Sequence, residues 1–198
     1  MSGCKQKILV TILFLTSVTN AFSQKLKFDI TLFGDNVGTI TIEQKDSAGL
    51  KLYVMQSSLE AKVLFTKRSS HSNMRVVFDR DGNLLYSNYK NIKSDGTINT
   101  TSVQEGNKLK VEHNGEKSIL DGPINLVSVL LYFNEPQKLN KIFSERAGKF
   151  FDMAKQEDGT YLAKLDDGQG RFTYKNGKLV QIEVSKGILG TVTIKAVQ

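Results

Sequence analysis

From Leu26 onward, apolar and polar residues alternate with a period of two, and turn sequences cut the alternation into short stretches. Leu26, Phe28, Ile30 and Leu32, for example, interleave with Lys27, Asp29 and Thr31. Only an extended chain places such a set on one face, so the sequence predicts strand after strand. The punctuation is rich in Gly, Asn and Asp: Gly34-Asp35-Asn36, Ser47-Ala48-Gly49, Asp79 to Asn83, Asp95-Gly96, Glu105-Gly106-Asn107, Asn114-Gly115, Arg146-Ala147-Gly148, Asp158-Gly159 and Asn176-Gly177. The two Asn-Gly pairs are strong two-residue hairpin signals. Strands joined by tight turns pair antiparallel. No crossover helices are spaced along the chain, which excludes a parallel α/β fold.

The predicted strands cover 26–32, 37–45, 50–65 (one bent strand or two), 75–79, 84–93, 98–104, 109–113 and 118–120 in the first half. In the second half they cover 141–145, 149–156, 160–165, 171–175, 179–185 and 191–197. Ser69-Ser70-His71-Ser72 reads as a loop or strand edge. One stretch breaks the rhythm. Asp121-Gly122-Pro123 supplies a cap and a Pro at a first helical position, Ile124 to Phe133 is apolar on almost every side, and Pro136 stops it. A short buried helix over about 123–133 is expected, with a buried strand as the rival because the run is rich in Val and Leu. The fold class is therefore dominated by β-structure. A single curved antiparallel sheet forms a barrel or half-open cup around that one short apolar helix.

Lys5 and Lys7, the apolar run Ile8–Val18 and the small residues Ala21 and Ser23 have the layout of a secretory signal cleaved after Ser23. The run is shorter than the roughly 20 residues a membrane helix needs. The expected organisation is a signal peptide over 1–23 and one β-rich domain over 24–198, exported to the periplasm or secreted, with no transmembrane span after cleavage. Cys4 is the sole cysteine and precedes the apolar run, so neither a lipid anchor at the cleavage point nor a disulfide scaffold is expected. The formal charge is +7, but the basic residues are scattered, with Lys67-Arg68 the densest pair. That pattern describes a solvated basic surface rather than a nucleic-acid interface, and is compatible with anionic envelope polymers or lipid head groups.

Three pieces carry a resemblance: Phe28-x-Ile30-x-Leu32-Phe33-Gly34-x-x-Val37-Gly38, the Pro123 to Phe133 segment with Ser128, and Tyr174 to Ile182 with Gly190-Thr191-Val192. With these the chain resembles exported Bacteroidetes β-proteins of the domain-of-unknown-function type, family 6134-like. It is similar more loosely to proteobacterial envelope domains of unknown function. The resemblance implies an exported single-domain β-protein and lends no active site. The implied shape is also similar to periplasmic lipoprotein carriers, a curved sheet over an apolar cavity.

Chemistry is sparse. A Ser–His hydrolase would have to use His71 or His113, the two histidines, and no Gly-x-Ser-x-Gly elbow is present. Asp79-Arg80-Asp81-Gly82 begins like a calcium loop, but Lys90 stands where the bidentate Glu is needed. Asp166-Asp167-Gly168-Gln169-Gly170 offers carboxylates and flexible backbone for weak calcium binding, but a plain turn is the favoured reading. No spacing singles out a glycosidase carboxylate pair, and Trp is absent. No catalytic residue, metal or cofactor is assigned. What remains is apolar binding. Contacts to an apolar or lipid-like ligand are expected from Leu64, Phe65, Leu130, Phe133, Ile188 and Leu189, which lie in apolar runs or at a hairpin tip. The plainer reading packs each on the core. The alternative functions are an envelope interaction module that binds an envelope protein or anionic envelope polymer without a small ligand and, third, a hydrolase.

Overall fold

The computed structural model describes residues 23–63, 66–137, 141–165, 168–185 and 190–197. Two antiparallel meanders share one sheet. The first comprises β1 (Ser23–Leu32), β2 (Asp35–Ser47), β3 (Leu50–Val63), β4 (Thr66–Phe78), β5 (Leu84–Lys93), β6 (Gly96–Glu105), β7 (Lys108–His113) and β8 (Glu116–Asp121). After a two-stranded ribbon of β9 (Ile142–Ser144) and β10 (Lys149–Phe151), the second comprises β11 (Met153–Lys155), β12 (Tyr161–Leu165), β13 (Gly168–Lys175), β14 (Lys178–Ser185) and β15 (Thr191–Ala196). The meanders join where β15 pairs with β1, with Ile30 opposite Ile194. The sheet order is therefore β11-β12-β13-β14-β15-β1-β2-β3-β4-β5-β6-β7-β8, thirteen strands ending in the unpaired outer edges of β11 and β8. The sheet curves without closing, giving a half-open cup.

The alternation in the sequence becomes the inner face. Phe28 and Ile30 of β1, Ile40 and Ile42 of β2, Tyr53 and Met55 of β3, and Met74, Val76 and Phe78 of β4 are all buried. Leu109 and Val111 of β7, Phe172 of β13 and Ile182 of β14 complete the same core. The Asn-Gly hairpins are built as their composition predicts. Asn114 and Gly115 have φ of 50° and 89°, and Asn176 and Gly177 have 52° and 73°, the left-handed pairs that a type I′ turn requires.

Three expectations are corrected. The helix over 123–133 does not form. Residues 123–126 are irregular, Val127 is extended and bridges Phe143, and a single 3-10 turn covers Ser128–Tyr132. Neighbours supply the backbone partners that a helix would have supplied itself: Leu84 N–H donates to the Ile124 carbonyl and Phe143 N–H to the Leu126 carbonyl. The polar stretch Ser69–Ser72 is the middle of β4, paired in register with Glu60 to Ser57 of β3. The inward row there, Ser70 and Ser72, is polar although Ser72 is buried, so no apolar alternation marks the strand. Residues 149–156 are two strands, because the chain leaves β9 and joins the main sheet at Asp152.

Residues 122–137 and 141–152, between the two free edges of the sheet, cross the cup as a strap. Ile124, Val127, Val129, Leu131, Ile142 and Phe143 are buried along it. Tyr132 packs edge-on against Phe28 at 5.3 Å, and Phe133 against Tyr53 at 5.2 Å. Hydrogen bonds tie the strap to both meanders. Thr100 Oγ1 donates to the Arg146 carbonyl at 2.7 Å, and Tyr174 OH donates to the Leu131 carbonyl at 2.9 Å. Tyr161 OH donates to Glu135 at 2.7 Å.

The strap is pinned to itself by Glu145, which is fully buried. Its carboxyl accepts from the N–H groups of Ser128 and Val129, each at 3.0 Å, and from the Ser128 hydroxyl. These N–H groups open the 3-10 turn and have no partner within it, and Val127 offers no side-chain cap. Burial pushes the carboxyl pKa above its ordinary 4.5, against the hydrogen bonds that lower it. The proton is held more tightly in the folded state. Its contribution to stability is full below pH 4.5 and is lost as pH rises through the higher folded value.

Glu145→Ala should cost about 3 kcal/mol by orphaning two buried N–H groups. Glu145→Gln removes the titration, so the melting temperature of the wild type relative to Glu145→Gln should fall as pH rises from 4.5 through the higher folded value, read by circular dichroism melts. A constant difference would contradict the assignment. A second variant probes the sheet: a Cβ on Gly38 would lie 2.1 Å from the Ser58 carbonyl oxygen of the neighbouring strand. Gly38→Ala should therefore cost about 2 kcal/mol or more in urea unfolding, since backbone rather than a side-chain tip must move.

Candidate functional site

Between the strap and the inner face of the sheet lies a cavity of about 270 Å³. Strands β2, β3, β13, β14 and β15 contribute Ile40, Met55, Phe172, Ile182, Val184 and Ile194 to its wall. The strap contributes Ser128, Leu131 and Tyr132. Burial raises the Tyr132 phenol pKa above 10, with Tyr89 and Glu145 adding to the effect, so the hydroxyl stays neutral inside. The polar groups on the wall are chiefly hydroxyls, from Ser57, Ser72, Ser144 and the tyrosines. Such a lining suits an apolar body with few directional contacts.

A second chamber of about 180 Å³ lies beside it and shares the walls Ser144, Arg146, Phe151 and Leu165. It adds Ile98, His113 and Lys149. Arg146 lies in the turn between β9 and β10 and Lys149 opens β10, and this turn is held by hydrogen bonds. Ala147 N–H donates to Ser144 Oγ at 3.2 Å, and Gly148 N–H donates to the Ser144 carbonyl at 2.8 Å. Gly148, at φ 65°, packs so closely on Val111 and Thr100 that a Cβ would lie 2.7 Å from Val111 Cγ1.

His113 is set by the same network. The one hydroxyl proton of Thr100 goes to the Arg146 carbonyl, so at 2.8 Å Thr100 Oγ1 accepts from His113 Nδ1–H. Asn114 Oδ1 accepts from Asn99 N–H at 2.9 Å, which turns the Asn114 amide nitrogen toward His113 Nε2 at 3.2 Å. The ring is thereby held as the Nδ1–H tautomer, with Nε2 accepting. Its role is to brace the turn.

Of the expected ligand contacts, Leu64, Phe65, Ile188 and Leu189 lie outside the described residues. Leu130 and Phe133 are half-buried and packed against the core, Phe133 on Tyr53. The cavity wall at this point comes from their neighbours Leu131 and Tyr132. Residues missed by the sequence reading, such as Val184 and Ile194, carry the ordinary strand alternation. Nothing in the sequence separates inward residues that meet a partner from those that border a void. Arg146 was hidden in a turn.

The other chemical candidates are placed plainly. Ser58 Oγ and His71 Nδ1 lie 3.1 Å apart across β3 and β4, but on exposed strand surface that borders neither chamber. Nearby Glu60 is paired with Lys67 at 3.0 Å. Asp79 Oδ1 accepts from the N–H groups of Asn83 and Asp81, which holds its carboxyl below the usual range and commits it to its own turn. Arg68 pairs with Asp95. Among the described residues no group of three or more His, Cys, Asp or Glu could hold a metal ion. The Asp166-Asp167 pair lies outside them.

The fold is similar to the crystal structure of a beta-barrel-like protein of domain of unknown function DUF1849 from Brucella abortus. The TM-score is 0.50 and the identity 13%, over 88% of this chain and 95% of that one, a likeness of fold alone. No curated protein matches the chain. Its sequence matches the domain of unknown function DUF6134 over residues 28–197, and the chain belongs to that family.

Proposed function

We propose that this chain is a non-catalytic binding protein for an apolar or lipid-like ligand, acting in the periplasm or outside the cell after removal of a signal peptide at 1–23. The observation that carries the reading is the apolar cavity under the strap. Protein interiors are close-packed, and voids larger than a water molecule are few. A half-open space of about 270 Å³ between strap and sheet, beside another of about 180 Å³ with which it shares the walls Ser144, Arg146, Phe151 and Leu165, is a departure from that rule. Ligand pockets run from about 300 to about 1,000 Å³, and the space under the strap, about 270 Å³, comes close to the lower end of that range. The sequence layout at Lys5, Lys7, Ile8–Val18 and Ser23 supports export.

A second reading is an envelope interaction module. It draws on β8, whose outer edge is unpaired and whose Ile119 is 64% exposed. An open edge is a template for an added strand from a partner. Lys117 and Asp121 on the same strand weaken it as a promiscuous edge.

Native mass spectrometry of protein exported in a bacterial host, cleaved after Ser23 and purified without detergent, tests the first reading. The expected result is a population heavier than the bare chain that loses a lipid-sized mass on activation. Val184→Phe, which grows a side chain into the cavity, should leave the melting temperature within a few degrees and remove most of that population. A bare wild-type species, unaltered by incubation with an envelope lipid extract, would overturn the reading and favour the partner-binding alternative.

A further inference from the structure

We infer that two copies of this chain pair through their free β8 edges, antiparallel about a two-fold axis that passes between the two Ile119 residues. The pairing stands whether or not the cavity takes a ligand, and it gives the open edge described above its partner. β8 ends the sheet, so one side of its backbone has no strand beside it. Gly122 N–H donates to the Asn107 carbonyl across the β7–β8 hairpin, and in an antiparallel ladder every second residue bonds the same neighbour. Glu116, Ser118 and Leu120 therefore bond β7, while Lys117, Ile119 and Asp121 turn their N–H and C=O groups outward. No described residue bonds these outward groups. Their side chains stand on the outer face, opposite the exposed Glu112, Lys110 and Lys108 of β7.

Two such edges satisfy each other only where outward-turned residues meet. Setting Ile119 opposite its own copy sets Lys117 opposite Asp121 on both sides of the axis. The exposed apolar side chains then cover each other, and opposite charges face across the strands. One ladder step to one side puts Lys117 opposite Ile119 and Asp121 opposite Gly115 of the turn. One step to the other side puts Asp121 opposite Ile119 and Lys117 opposite Pro123, which has no N–H. The charges are available for the pairing. Asp121 is 87% exposed and gives Oδ1 to Lys108 at 2.5 Å, while Lys117 is 80% exposed and stands 4.0 Å from Glu112. An arbitrary foreign strand meets these charges unmatched, whereas a second copy supplies their complement in register. β8 has six residues, a small contact. Interfaces under about 1,200 Å² belong to transient complexes, so the dimer forms and parts with concentration.

Sedimentation velocity of the exported chain from about 1 to about 300 µM should show monomer passing into dimer and nothing larger. Lys117→Asp alone, or Asp121→Lys alone, sets like charges opposite each other on both sides of the axis and should weaken the dimer about ten-fold in Kd. An equimolar mixture of the two variants should restore it, because the changed charge of each meets its opposite on the other. Ile119→Lys, which sets two cations on the axis, should hold the chain monomeric. That variant keeps the test available where Asp121→Lys lowers the melting temperature through loss of the Lys108 pair. A wild type that stays monomeric over the whole range overturns the inference. So does a dimer that survives the single substitutions, or one that the mixture fails to restore. Species that grow past the dimer overturn the closed pairing and point to β8 of one copy on β11 of the next.

Discussion

Glu145 accepts from the Ser128 and Val129 N–H groups, and the path of the strap follows from that pairing. An apolar segment laid across an open sheet could pack in several ways, since the hydrophobic effect has no direction. A buried carboxyl cannot move without stranding three donors. It sets the 3-10 turn against the β9–β10 turn, and that fixes which side chains face the sheet. Tyr132 and Phe133 are thereby delivered to Phe28 and Tyr53. The tyrosine bonds from β12 and β13 then only have to meet a strap already in place.

The same anchoring explains why space is left beneath the strap. Serines stand at positions where the inner wall could have carried larger side chains: Ser57 on β3, Ser72 on β4, and Ser128 and Ser144 on the strap. A strap held only by hydrophobic contacts would sink into such a gap, because collapse recovers dispersion energy. Held at Glu145, at Thr100 and at the two tyrosines, it stands off from the sheet.

Much of the fold is legible in the sequence, and the exceptions have physical reasons. Alternation marks a strand only where one face is apolar, so β1 and β2 stand out while the start of β4, Lys67 to Asn73, with polar Ser72 on its buried side, does not. The Asn-Gly turns are readable because the left-handed pair they adopt is a local property. The Ile124–Phe133 run is not, because an all-apolar segment states that it is buried without stating how its backbone is paired. Partners far along the chain, Leu84 and Phe143, decide that. The cavity is less legible still. Ile194 and Ile42 look alike as inward residues, yet one borders space and the other is packed, and the difference lies in where the strap passes. Glu145 gives no signal either, since a buried carboxylate next to an arginine reads as an ordinary turn.

The seam between β15 and β1 has a bearing on how the molecule comes to exist. The strand at the start of the sheet order's first meander has one neighbour at once and must wait for residues 191–196 for its other. Until then its inner row, Phe28 to Leu32, lies along an open edge, the condition under which chains associate with one another. Joining distant stretches of chain is slow because loop closure precedes any reward. A chain emerging progressively into its compartment therefore spends its most vulnerable interval with eight strands able to pair and the middle of the sheet unfinished. Protection of that edge belongs to the time of synthesis rather than to the finished cup.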